Sequence, residues 1–240
     1  MNDLLTKFLL CNKIPETIKL DIKLLHCTGN NVWFVTSADQ CYVLGDNMCG
    51  ELGLGHKLPV NEPQVVRELC SIECQKFIIG TDFGLCLTSD QQIYSWGSDS
   101  YKQLGRHTCH MYSKPANIPF LSDKSITDIA SGFLHSLALT SDGRVYGWGD
   151  NRWGQVGCGQ RLDRIRRPSC LIFPPNTCIK SISCINWCSL AITADGLVYC
   201  GGWTKHKQFR DKTRLNFHLL ALIPNISDIK SLSIVYLDMA

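Results

Sequence analysis

Val145-Tyr146-Gly147-Trp148-Gly149-Asp150-Asn151-Arg152-Trp153-Gly154-Gln155-Val156-Gly157 decides how this chain folds, because its parts return at a fixed distance. Tyr146-Gly147-Trp148-Gly149 is preceded by Tyr42-Val43-Leu44-Gly45 and Tyr94-Ser95-Trp96-Gly97, and followed by Tyr199-Cys200-Gly201-Gly202. The final glycines, Gly45, Gly97, Gly149 and Gly202, are 52, 52 and 53 residues apart. Six residues before each tyrosine lies a threonine: Thr36, Thr88, Thr140 and Thr193. In three copies it opens Thr-Ser-Asp or Thr-Ala-Asp, ending at Asp90, Asp142 and Asp195. Pro63, Pro115 and Pro168 recur at 52 and 53 residues. Three landmarks held in one register mean internal repetition, which is read before any local feature.

Each unit reads as strands. Ser136-Leu137-Ala138-Leu139-Thr140 alternates, Ser141-Asp142-Gly143-Arg144 turns the chain, and Val145-Tyr146-Gly147-Trp148 alternates again. Two alternating runs about a turn signal predict a β-hairpin. Equivalent hairpins are expected over 85–96 and 190–199, and a weaker one over 32–44. An apolar strand precedes each, such as Ile126-Thr127-Asp128-Ile129-Ala130. Several strands per unit of about 50 residues describe a propeller blade; blades of the WD type, at about 40–45 residues, are too short. Blades are expected over 21–73, 74–125, 126–178 and 179–225, with a partial one over 226–240 and an N-terminal segment over 1–20. A helix is expected only within the first dozen residues.

The stretch 145–157 resembles the repeat of the regulator of chromosome condensation, as does Gly132-Phe133-Leu134-His135-Ser136-Leu137-Ala138-Leu139-Thr140. The first copy keeps Gly45-Asp46-Asn47 and Gly50-Glu51-Leu52-Gly53, the second Trp96-Gly97 and Gln103-Leu104-Gly105, and the fourth departs, with Lys207-Gln208-Phe209-Arg210 where the glycine-bracketed turn belongs. The resemblance spans roughly 20–237 and implies an all-β propeller. The family's complete ring has seven blades, about 364 residues at this period. Four and a half repeats therefore imply a partial or open ring, with unpaired strand edges. A short isoform, a fragment, a divergent ring and one member of an assembly all fit that count. The resemblance also implies structural roles: Gly45, Gly97, Gly149 and Gly202 at equivalent inner positions, Trp96 and Trp148 in the wedge between blades, and His135 as a hydrogen-bonded core histidine.

Composition bounds the function. Of 240 residues, 45% are hydrophobic and 19% charged, which is ordinary for a globular chain. The net charge of +3 is too small for a protein that binds polyanions over its whole surface. No apolar run reaches the roughly 18 residues of a membrane helix. The start has only Phe8-Leu9-Leu10 as an apolar run and no basic residue before Lys7, unlike a secretory signal. The 14 cysteines include no C-x-x-C pair and sit mostly in apolar runs such as Leu85-Cys86-Leu87. They read as buried thiols, which implies a reducing compartment, the cytoplasm or the nucleus. His107-Thr108-Cys109-His110 lacks a second pair of zinc ligands. Phosphate-loop, nucleophile-elbow and zinc-protease motifs are absent, so no catalytic residue, metal or cofactor is expected.

Charge is local instead. Arg161, Arg164, Arg166 and Arg167 against Asp163 make +3 within seven residues, and Lys205, Lys207, Arg210, Lys212 and Arg214 against Asp211 make +4 within ten. Together they hold +7, which leaves −4 for the rest of a chain of net +3. Both runs follow the same strand of consecutive repeats, so they are expected to merge into one basic patch on one propeller face. A solvated face is the plain reading of such runs. The functional one is a contact for an acidic protein, with chromatin or nucleic acid as less favoured partners. The expected function is a protein-interaction scaffold. The alternative implied by the resemblance is guanine-nucleotide exchange on a small GTPase.

Overall fold

The Thr-x-Asp turns shape the hairpins. Thr140 Oγ1 accepts the backbone N–H of Arg144 at 3.1 Å and donates to the Asp142 carboxylate. Thr88 with Gln92 and Asp90, and Thr193 with Leu197 and Asp195, repeat the arrangement. The residue that closes each turn has a positive φ: 56° at Asp39, 65° at Gln91, 79° at Gly143 and 84° at Gly196. A side-chain oxygen that bonds its own backbone competes well with extended structure, which is why these residues punctuate strands.

The structure is a computed structural model and describes residues 9–28, 30–106, 112–203 and 219–223. The described chain is all-β apart from short turns of helix, and contains four four-stranded antiparallel sheets, each a meander. The first sheet runs β1 (Ile22–Cys27), β2 (Asn31–Thr36), β3 (Cys41–Gly45), β4 (Val60–Val65). The second runs β5 (Cys74–Ile79), β6 (Phe83–Thr88), β7 (Ile93–Gly97), β8 (Ala116–Asn117). The third runs β9 (Ile126–Ser131), β10 (His135–Thr140), β11 (Val145–Asp150), β12 (Arg164–Cys170). The fourth runs β13 (Ile179–Ile185), β14 (Cys188–Thr193), β15 (Val198–Gly202), β16 (Ala221–Leu222). The partial fifth repeat expected over 226–240 lies outside the described residues.

Two compact units divide these sheets. The first takes in 9–98 and 112–117, with the first and second sheets. Its core gathers Trp33, Phe34, Val43, Leu44 and Trp96, with Cys11 and Ile14 of the N-terminal segment buried against them. That segment is a 3-10 turn, Leu9–Lys13, and a four-residue helix, Glu16–Lys19. The second unit takes in 99–106, 118–203 and 219–223, with the third and fourth sheets and cores around Leu137, Val145 and Tyr199 and around Leu190 and Ile192.

The second strands depart from simple alternation. All six residues of β2, β6, β10 and β14 are buried, on both faces. Polar residues survive there because they find partners: Ser136 Oγ donates to the Gln103 carbonyl at 3.1 Å. Buried hydroxyls are tolerated when hydrogen-bonded in this way. The repeat's glycines share one register, paired as Asn31↔Gly45, Phe83↔Gly97, His135↔Gly149 and Cys188↔Gly202. Their φ values of 99–140° lie outside the comfortable range of other residues. Pro63 and Pro168 lie on the outermost strands and Pro115 just before one; an edge tolerates a residue without an N–H.

Within each unit, neighbouring repeats meet at one backbone acceptor. Trp96 Nε1 donates to the Glu51 carbonyl at 2.6 Å, and Trp148 Nε1 to the Gln103 carbonyl at 2.7 Å. Both indoles are fully buried. In the fourth sheet Gly201 takes the tryptophan's place, and Ser189 Oγ donates to the Gln155 carbonyl at 2.6 Å. Leu220 supplies the missing bulk, so close that a Cβ on Gly157 would meet its Cδ1 at 1.9 Å.

Candidate functional site

The site grows out of the glycine-bracketed turn 149–157 in the second unit. Asp150 is fully buried, yet it is answered on both oxygens. Arg152 meets it twice, Nε to Oδ1 at 2.8 Å and Nη2 to Oδ2 at 3.2 Å, and Gln155 Nε2 donates to Oδ2 at 3.0 Å. A buried carboxylate is costly unless paired in this manner, so Asp150 anchors the Arg152 head. The Arg152 guanidinium lies over the Tyr101 ring, 4.8 Å from its centroid, and 5.8 Å from the centroid of Trp187.

Asn151 organises the next stretch. Its Nδ2 donates to the carbonyls of Gln160 and Leu162, both at 3.0 Å, and its Oδ1 accepts from Val156 N at 3.1 Å. This side chain stands in for backbone pairing and steers the loop into β12. Asn47 does the same in the first unit, bonding the carbonyls of His56 and Leu58 and the N–H of Leu52.

β12 then bulges. Gly147 pairs with Ser169 and Gly149 with Ile165, so Arg166, Arg167 and Pro168 all stand opposite Trp148. A bulge re-aims side chains that strict alternation would send to opposite faces. Arg164, Arg166 and Arg167 consequently line one cleft of about 530 Å³ together with Lys102 and Arg152; Asp163 is its one carboxylate. Arg164 lies 5.0 Å from the Tyr101 centroid, so this ring carries two guanidinium groups. Lys102 reaches Asp99 Oδ2 at 3.3 Å. Among the described residues, Arg164, Arg166 and Arg167 have no carboxylate partner. Close by in sequence, Trp153 is 49% exposed and sits 6.3 Å, ring to ring, from Trp203.

Of the basic residues read from sequence, Arg164, Arg166 and Arg167 therefore converge. Arg161 is exposed on the same loop but does not line the cleft. Lys205, Lys207, Arg210, Lys212 and Arg214 lie outside the described residues, as does the cluster His107–His110. Sequence reading missed Arg152, Lys102, Tyr101 and Asp150. Their one signal was register: Tyr101 lies 52 residues before Trp153, so turn tips of consecutive repeats carry them.

His135 sits away from this chemistry. It is fully buried, with Nε2 2.9 Å from Ser189 Oγ. Ser189 has already given its hydrogen to the Gln155 carbonyl, so His135 Nε2–H is the donor between them. Burial pushes its pKa down to about 3. The thirteen cysteines among the described residues form no disulfide. They form no group of three or more residues able to hold a metal there. No helix among the described residues is long and apolar enough to cross a membrane.

Known proteins share this construction. The Regulator of chromosome condensation (RCC1) repeat matches residues 90–139 and 126–160. The Ultraviolet-B receptor UVR8 of Arabidopsis thaliana is 30% identical over 193 residues, 79% of this chain and 44% of that protein. The E3 ubiquitin-protein ligase HERC2 of Homo sapiens is 27% identical over 183 residues, 74% of this chain but 4% of that one. Among solved structures, Prp20p of Saccharomyces cerevisiae superposes with a TM-score of 0.70 at 24% identity, over 88% of this chain and 53% of that one. Human WBSCR16 gives 0.72 at 19%, over 85% and 52%. The chain thus spans under half of these curated relatives and about half of the solved propellers.

Proposed function

Because the chain belongs to the regulator of chromosome condensation repeat family, we propose that it is a protein-interaction scaffold that binds an acidic protein partner through the β12 cleft. One observation carries this reading: five cations against one carboxylate line a single cleft, and three of the arginines have no ion-pair partner among the described residues. Like charges held together in a fold cost stability, and an acidic partner relieves that cost while speeding encounter. The half-exposed Trp153 adds the aromatic contact that protein interfaces favour. The cytoplasm or nucleus is the proposed compartment, since free buried thiols suit reducing conditions.

Purified chain is expected to bind immobilised acidic polypeptide, with affinity falling several-fold between low and physiological salt. Reversing Arg164, Arg166 and Arg167 to Glu is expected to abolish retention while the chain stays folded, with stability shifting by no more than about 0.5 kcal/mol per site. Retention that ignores the reversal would refute the cleft as the docking site. A second reading is nucleotide exchange on a small GTPase. It is supported by the likeness to Prp20p, which is described for its binding to Gsp1p and histones. Nucleotide-release rates across a panel of small GTPases test it; no acceleration by the chain removes it.

A further inference from the structure

We infer that the β12 cleft recognises a phosphorylated side chain, a phosphoserine or phosphothreonine in an extended segment of the partner. The inference rests on the proposal that the cleft is a partner site, and narrows its ligand. Asp150 and Asp99 answer Arg152 and Lys102, and Asp163 lies on the wall, so the four arginines and one lysine leave a net charge of +2 around a cleft of about 530 Å³. Carboxylates answer that charge one at a time, and two of them crowded into this volume would repel one another. A phosphate monoester brings close to two negative charges and three acceptor oxygens on one centre, and guanidinium forks match its geometry.

The arginines also differ in role. Arg152 has its Nε and Nη2 donors occupied by Asp150 and its guanidinium set against the Tyr101 ring, so it acts as a fixed wall. Arg164 is placed by the same Tyr101 ring through its face, which leaves its donor edges unused. Arg166 and Arg167 are exposed and brought to one side by the bulge. Site preorganisation of this kind lowers the ordering cost of binding. A concave cleft admits an extended segment more readily than a folded acidic surface. A nucleic acid is less well matched: each of its diesters carries one charge, and it needs a stripe rather than a single dense focus.

Fluorescence anisotropy of the full chain separates these ligands. Three degenerate peptide pools, alike except for a fixed central phosphoserine, glutamate or serine, are titrated beside a single-stranded oligonucleotide of similar length. The phosphoserine pool is expected to bind at least about ten-fold more tightly than the glutamate pool, and inorganic phosphate to compete. Arg164→Ala with Arg167→Ala should reduce it to the level of the serine pool. Arg164→Lys with Arg167→Lys keeps the charge but not the fork, and should lose most of the preference for phosphoserine over glutamate. Equal binding of phosphoserine and glutamate pools, both lost in the alanine variant, overturns the phosphate inference and leaves the acidic-partner proposal standing. Tighter binding of the oligonucleotide overturns it in favour of nucleic acid. Binding of no pool overturns both. Far-ultraviolet circular dichroism of each variant confirms that the fold persists, as exposed positions predict.

Discussion

The bulge of β4 in the first unit and the bulge of β12 in the second are the same device carrying opposite chemistry. In the first, Asn61, Glu62 and Pro63 stand opposite Leu44; in the second, Arg166, Arg167 and Pro168 stand opposite Trp148. The turn beneath differs as well. The second unit has buried Asp150 clamping Arg152, whereas the corresponding residues of the first are exposed Asp46 and exposed Met48. The backbone is reused and the surface is not. The comparison teaches that the repeat supplies a mount, and that the side chains at the bulge and the turn tip decide what it binds.

The largest expected effects fall on the mount. Trp96→Ala and Trp148→Ala each empty a buried site and should cost about 3–5 kcal/mol. They should not cost the same. When Trp148 goes, Ser136 still serves the Gln103 carbonyl; Trp96 faces Gly84, which offers no substitute donor for the Glu51 carbonyl. An unsatisfied buried carbonyl adds about 1–3 kcal/mol, so urea denaturation should find Trp96→Ala the more damaging of the two. The reverse order would show that the hydroxyl is no substitute.

Glycine contacts come next. Gly105 and Gly157 hold equivalent positions at φ 66° and 72°. A Cβ on Gly105 would meet the indole nitrogen of Trp148 at 2.8 Å, a rigid ring held by a hydrogen bond. On Gly157 it would meet the rotatable end of Leu220. Both alanine variants carry the left-handed backbone penalty of about 1–2 kcal/mol. Gly105→Ala should nonetheless melt at the lower temperature, and equal melting would mean that the ring yields as easily as the leucine.

Acid should discriminate more gently. The His135 pKa is depressed to about 3 in the fold, against about 6.5 when unfolded. Between those values the unfolded chain takes up a proton that the native chain refuses, so stability falls as pH drops from 6.5 towards 3 and levels off below. His26, pushed down to about 4 by burial, adds a similar slope in the first unit. His135→Gln should flatten part of the pH dependence measured by denaturant midpoint, and leave the share that belongs to His26. An unchanged slope would mean that His135 titrates alike in the folded and the unfolded chain.

The smallest effect on folding belongs to the surface that binds. Replacing Asn61 and Glu62 by Arg should shift stability by under about 0.5 kcal/mol each. It should also fail to create phosphoserine binding in the first unit, because Met48 supplies no clamped guanidinium there. Phosphoserine binding gained at β4 in an Arg164→Ala, Arg167→Ala background would show that charge density alone suffices.

The hairpins, the sheet edges and the common register of Gly45, Gly97, Gly149 and Gly202 were legible because turn chemistry and glycine act locally. Reading β10 as alternating missed that both faces are covered, since burial on the second face depends on a neighbouring sheet. Arg164, Arg166 and Arg167 stood out as a run, yet strict alternation would have parted Arg166 from Arg167. Arg152 was marked only by the register of its turn tip, and its clamping was not legible, because Asp150 lies two residues away and looks like any turn aspartate.

Sequence by itself determined the period, the hairpins and the family, since each rests on residues within about one repeat of one another. Tertiary structure alone decided which cations share a cleft. It set Tyr101 beside Arg152 and Arg164, across 51 and 63 residues of chain, and buried Asp150 so that it clamps Arg152. The physical reason is that electrostatic contact depends on distance through space, which register and bulges set and which spacing along a chain does not.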